Sequence, residues 1–191
     1  VAFGEEGLAI EADVQILMKS YENRYIETIP SAHIKKEEDE PAVVPTFFVT
    51  YKKDNWGLFG AFQVLGGGGN VVYDNGCALL DQIEYINLYA GGTGAPFTDE
   101  EIEANTYYLG YTLGGTFAFN DFFSIAAGGR YVDASKKVEA FATTAAGNLS
   151  GEYEEDADGF GWLASINIRP TDSFLLAVRY ESAVDLSFKT E

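Results

Sequence analysis

Every second residue from Phe174 to Phe188 is apolar or small: Phe174, Leu176, Val178, Tyr180, Ser182, Val184, Leu186, Phe188. The positions between them carry Arg179, Glu181, Asp185 and Lys189. A one-sided face of about fifteen residues is long against the ~5–6 of an ordinary strand. It suits a tilted strand crossing a bilayer, which takes about 9–11 residues with an aromatic near each interface. The same alternation runs through Leu8–Ile10–Ala12–Val14–Ile16–Met18, Tyr107–Leu109–Tyr111–Leu113, Phe123–Ile125–Ala127–Gly129–Tyr131 and Phe160–Trp162–Ala164–Ile166–Ile168. Shorter pieces surround Phe47, Val49 and Tyr51, and Trp56, Leu58, Phe62 and Val64. The period predicts strands near 8–18, 46–52, 56–65, 106–119, 122–132, 159–169 and 173–188. Pro45 is expected to delay the second.

The punctuation between these strands alternates. Lys53-Asp54-Asn55, Asn120-Asp121 and Pro170-Thr171-Asp172 read as tight turns. The other connections, at 20–44, 66–105 and 132–158, are long. Short turns at one end and long loops at the other mark an all-β, antiparallel, up-and-down transmembrane β-barrel. Single-chain bacterial barrels have an even strand number, and an open edge in lipid leaves backbone groups unpaired. Seven strands are therefore expected to be part of a larger barrel.

The connection between the third and fourth strands is predicted to hold a helical insertion over 75–104. Leu79, Ile83, Ile86 and Ala90 fall on one side of it, with Asn75 as cap and Gly91-Gly92 as stop. Thr98-Asp99-Glu100-Glu101 resembles a second capped start. Such a helix either covers the barrel mouth or offers Leu79, Ile83 and Ile86 to a hydrophobic ligand.

Composition narrows the chemistry. The 191 residues carry a formal net charge of −18, so nucleic acid is not an expected partner. The acids cluster in Glu37-Glu38-Asp39-Glu40, in Asp99-Glu100-Glu101 with Glu103, and in Glu152-Tyr153-Glu154-Glu155-Asp156 with Asp158. Solvated loops account for such blocks, and none has the spacing of a calcium loop. The chain has one cysteine, Cys77, and one histidine, His33. Neither has metal-ligand company, and no nucleophile, base and orienting group occur together, so neither a cofactor nor catalysis is expected. The mean hydropathy of −0.07 is what alternating strands give.

An amphipathic ligand needs an apolar groove and a cation or amide for its head group. Arg130, Arg169 and Arg179 fall on the predicted lumen face, with Lys136 and Lys137 just beyond the fifth strand. Arg130 leads as head-group candidate because its face is rich in glycine. The competing reading pairs it with an interior acid such as Glu11, Asp13 or Glu181.

The stretch GFGWLASINIRPTDSFLLAVRYES, Gly159 to Ser182, resembles the barrel of outer-membrane long-chain fatty acid transporters. IAAGGRYVDA, from Ile125 to Ala134, resembles the preceding strand of that family. Val1-Ala2-Phe3 with Gly7-Leu8 resembles the segment just after the family's N-terminal plug. The likeness covers about 105–191 and is thin over 20–104. It implies a fourteen-stranded barrel with an N-terminal hatch, capturing hydrophobic compounds at outer loops and releasing them through its wall. The hatch and about half the strands are missing from this sequence, and no family ligand residue maps onto it. The resulting expectation is a monomer in the bacterial outer membrane, among lipid and lipopolysaccharide. It passes a fatty acid or hydrocarbon by passive diffusion. The alternatives are a general porin or structural barrel, and a soluble lipid-carrying barrel.

Overall fold

The computed structural model describes residues 2–18, 22–23, 35–36, 38–39, 41–74, 76–89, 96–171 and 173–190. His33, Glu37, Glu40, Asn75, Asp172 and Gly91-Gly92, and most of 20–44, lie outside them. Seven long strands form the path of one antiparallel sheet in sequence order: β1 Gly7–Leu17, β2 Ala42–Lys53, β3 Trp56–Tyr73, β4 Phe97–Ala118, β5 Phe123–Thr144, β6 Gly147–Thr171 and β7 Phe174–Glu181. The two-residue strands Glu38–Asp39 and Lys189–Thr190 pair with β3 and β6 off that path. Among the described residues β1 and β7 are the edges and do not pair with each other, so the sheet is open.

The strands sit where the alternation places them, but several run much further. β4 and β5 have 22 residues each and β6 has 25. The connection expected at 132–158 is no loop. β5 and β6 continue as a paired hairpin from Val132↔Gly159 to Thr144↔Gly147, closed by Ala145-Ala146. Thr98-Asp99-Glu100-Glu101 does not start a helix either; it is the first portion of β4, paired with β5. Backbone pairing to a long neighbour overrides a local capping signal. Two of the three acidic blocks therefore stand on long strands, and Glu38–Asp39 of the remaining one forms a two-residue strand paired with Val71 and Val72 of β3.

Pro45 does not delay its strand, which begins at Ala42. There β2 pairs with β1 alone, since its ladder with β3 begins at Thr46. One-sided pairing is the setting in which a proline is tolerated. In β3 the glycine run absorbs two register shifts, between Val64 and Gly66 and between Gly67 and Gly69. Gly67 has φ +73°, and a Cβ there would lie on the Thr106 carbonyl oxygen. Only glycine fits that bulge.

Register fixes two faces. One face carries Leu8, Ile10, Val14 and Ile16 of β1, Phe47, Val49 and Tyr51 of β2, and Trp56, Leu58 and Phe62 of β3. Across β4 to β7 it continues through Tyr111, Leu113, Phe117, Ile125, Tyr131, Trp162, Ile166, Leu176, Val178 and Tyr180. Most of these side chains are exposed, Leu113 to 72%. The opposite face is small and polar, with Thr112, Thr116 and Ser124 buried beside Ala134, Ala157 and Leu163. This inversion, apolar side chains out and hydroxyls in, is the main feature of the fold.

The last predicted strand breaks early. β7 ends at Glu181, and residues 182–188 leave the regular ladder. Val184, Leu186 and Phe188 are half-buried while Ala183, Asp185 and Ser187 are exposed. Val184 and Leu186 lie where a Cβ on Gly159 or Gly161 would project, 2.6–3.1 Å away. Those glycines belong to the small, polar face of β6, so the apolar residues have changed sides. The continuous outer face read from Phe174 to Phe188 holds only as far as Tyr180.

Candidate functional site

The chemistry-bearing side chains gather on the small, polar face. Arg130 of β5 gives its Nε–H to Thr112 Oγ1 at 3.1 Å and its Nη1–H to Glu181 Oε2 at 2.7 Å. The other carboxylate oxygen of Glu181 takes Arg179 Nη2 at 2.6 Å. One carboxylate thus ties two guanidiniums and joins β7 to β5 across β6. The reading that pairs Arg130 with an interior acid describes this geometry. One positive charge is left over, and Arg179 is the more exposed of the two arginines.

Arg179 also lines a cavity of about 190 Å³ with Phe59, Thr116, Ala126, Leu163, Ser165 and Asn167. Asn167 Nδ2–H donates to Ser124 Oγ at 3.1 Å, and Thr116 Oγ1–H to the Ile125 carbonyl at 2.9 Å. Arg169 is held at the short-turn end, donating to the Asp121 carbonyl and lying 4.6 Å from the Phe3 ring centre.

Lys136 and Lys137 are not beyond a strand but inside β5, and they part company there. Lys136 lies 4.1 Å from the Phe188 ring centre, under the segment that crossed sides. Lys137 is on the other face, 2.7 Å from Glu139 and 2.9 Å from Glu152. Hydrogen bonds to these carboxylates hold its ammonium well above the ordinary lysine range. Lys136 and Lys137 therefore share no site.

At the opposite end from the short turns, α1 spans Ala78–Tyr89. It does not bury the side expected. Leu80 and Asp81 are buried, whereas Leu79 and Ile86 are more than half exposed. Polar groups anchor it: Glu84 Oε1 accepts the Phe97 N–H at 2.8 Å. Of the three predicted ligand-facing residues, Ile83 lines a pocket with Leu80, Phe97, Ala140, Ala142, Leu149 and Gly151, and Leu79 and Ile86 are not part of its lining. Sequence reasoning misses Leu80 and the β5–β6 wall, because that wall reads as a loop.

Four acids of this wall lie on its other side, on the face of Lys137 and not on that of Ala140 and Ala142. Glu101, Glu103, Glu139 and Glu152 border an adjoining cavity that shares Ala140, Phe141, Ser150 and Gly151 with it. Among the described residues no group of three or more His, Cys, Asp or Glu side chains is arranged to hold a metal ion. The site therefore offers apolar contact, hydroxyls and a satisfied Arg–Glu–Arg clasp. No protein-family model, no curated protein and no solved structure matches this chain.

Proposed function

We propose that this sheet is wall of a bacterial outer-membrane β-barrel, of the long-chain fatty acid transporter kind, that passes hydrophobic compounds by passive diffusion. The observation that carries the reading is the exposed face of the seven strands. From Phe117 to Tyr107 on β4, about eleven residues, its outward positions are uncharged, matching the span a tilted strand needs. The same holds on the neighbouring strands up to Asp133 and Asp158, where acids begin.

Aromatic side chains form two rows on that face. Tyr51 meets Trp56, and Phe117 meets Phe119, toward the short turns. Phe62 meets Tyr111, Tyr111 meets Tyr131, and Trp162 meets Tyr180 toward the other end. Paired aromatic girdles around an apolar band are the mark of an interfacial belt. In water, so large an exposed apolar area would be an aggregation surface. In hydrocarbon it costs nothing.

Lipid also demands that both edges be paired. β1 and β7 run in the same direction, since five alternating strands lie between them. An all-antiparallel closure thus takes an odd number of additional strands, seven for a fourteen-stranded barrel.

Both tryptophans, Trp56 and Trp162, are exposed on the apolar face. The test is their fluorescence in liposomes whose acyl chains carry bromine. Strong quenching by bromolipid and weak quenching by aqueous iodide supports the reading. Quenching by iodide alone, from protein extracted without detergent, overturns it. Ion conductance with no bound hydrophobic compound turns the function to a general porin and keeps the wall.

A further inference from the structure

We infer that the pocket between α1 and the β5–β6 hairpin is a binding site for a small, uncharged hydrophobic molecule, of aromatic or short aliphatic hydrocarbon type, and that it rejects carboxylates. Three observations converge on this ligand. The first is lining: Leu80, Ile83, Phe97, Ala142 and Leu149 present carbon, and Ser150 brings the one side-chain hydroxyl. Leu149 and Ile83 are partly exposed, so the site is an open apolar groove, and an apolar guest is held there by the carbon surface it covers.

The second is size. The cavity is about 190 Å³. A cavity of roughly 150 Å³ lined by aliphatic side chains accepts benzene, whereas drug-sized ligands occupy about 300 Å³ or more. One or two fused rings fill it; a long acyl chain does not.

The third is charge. Glu100 stands opposite Ala142 on the pocket's face of the wall, and Glu84 and Asp81 stand on the helix that roofs it. Lys136, on the pocket's face of β5, lies against the Phe188 ring, and Lys137 is on the opposite face between Glu139 and Glu152. An anionic head group arriving here meets a negative field, and none of the residues lining the pocket is a cation. A neutral guest meets no such barrier. The Arg130–Glu181–Arg179 clasp lies on a lower stretch of β5 and does not reach this pocket.

As a step in transport the inference rests on the membrane reading; as a binding site it stands alone. The experiment compares naphthalene with 2-naphthoate, the same rings with and without a carboxylate, on detergent-purified protein. Gly151→Leu is the blocking variant: a Cβ at Gly151 meets nothing within 4 Å, so the side chain enters the cavity without disturbing the wall. Ile83→Ala, at a half-exposed position, is the second variant and alters the pocket from the helix side. The expected result is saturable naphthalene binding, with 2-naphthoate roughly tenfold weaker at low salt and gaining as salt screens the acids. Gly151→Leu abolishes the naphthalene signal and Ile83→Ala weakens it, with circular dichroism unchanged. Equal or tighter binding of 2-naphthoate overturns the selectivity. Naphthalene binding indifferent to both variants overturns the site. Bromolipid quenching of Trp56 and Trp162 in the same preparation reports the membrane reading separately.

Discussion

Arg130 and Glu181, 51 residues apart in sequence, meet at 2.7 Å on the small-residue face of the sheet. Glu181 holds Arg179 with its second oxygen, so a single carboxylate closes the end of β7 onto β5. Such a link acts more on order than on energy, because Glu181 is about two-fifths exposed and screened pairs contribute ~1 kcal/mol or less.

Glu181→Gln is expected to loosen β7 while leaving the rest of the sheet intact. Amide hydrogen exchange should quicken over Phe174–Glu181. A double-mutant cycle with Arg130→Met should give a coupling below ~1 kcal/mol. Unchanged exchange in β7 would mean that the clasp is ornamental.

Gly159→Val and Gly161→Val test the change of sides after Glu181. A Cβ at Gly159 would come within 2.7 Å of the Asp185 carbonyl, which is backbone and must move. At Gly161 it meets Val184 Cγ2 at 2.7 Å. Each substitution is expected to destabilise by about 1–3 kcal/mol through overpacking. Limited proteolysis should then cut within 182–188. Resistance equal to wild type would place Val184 and Leu186 elsewhere.

Lys137 gives a pH prediction. Its folded-state pKa is raised, first by the hydrogen bond to Glu139 and then by that to Glu152. A raised pKa means that its stabilising contribution is complete below the unfolded value, 10.5. That contribution is lost as pH climbs through the higher folded value. Hairpin order should therefore be indifferent to Lys137 from neutral pH to about 10. At pH 9 Lys137 should acylate more slowly than Lys189, read by peptide mass spectrometry, and Glu139→Gln with Glu152→Gln should equalise the two.

Leu113→Arg separates membrane from water. Leu113 is 72% exposed near the middle of the apolar band. In a soluble protein an arginine there is neutral or helpful to solubility. In a bilayer wall it should cost roughly 2–4 kcal/mol in folding into liposomes. Denaturant titration of the lipid-folded protein reads the difference, with Thr112→Ser on the other face as the mild control.

Much of the sheet is legible because alternation needs no tertiary information. The outward run from Tyr107 to Phe117 lies where the period puts it, and so does the tight turn at Asp54, whose positive φ of 52° an aspartate accepts. The upper β5–β6 hairpin is not legible. Along 132–158 the outward positions that are apolar lower down are taken by Asp133, Glu139, Glu152, Glu154, Asp156 and Asp158, so the outward apolar period stops at Tyr131 and Phe160. The ladder from Val132 to Thr144 forms because β6 is there to pair with it.

The candidate pocket is legible only in part. Helical periodicity marks Ile83, but the buried side of α1 is decided by the Glu84–Phe97 bond and by Leu80 against the hairpin. Neither Leu80's partner wall nor the separation of Lys136 from Lys137 can be had from spacing along a single strand. The second depends on strand parity in a region that reads as loop.

The sequence by itself determined which side chains share a face, since consecutive residues of a strand must point to opposite sides. Tertiary structure decided how far each strand runs, where Val184 and Leu186 switch sides over Gly159 and Gly161, and which acids meet which bases. Those outcomes depend on partners distant in the chain, and a backbone hydrogen bond or an ion pair has no address until its partner strand is in register.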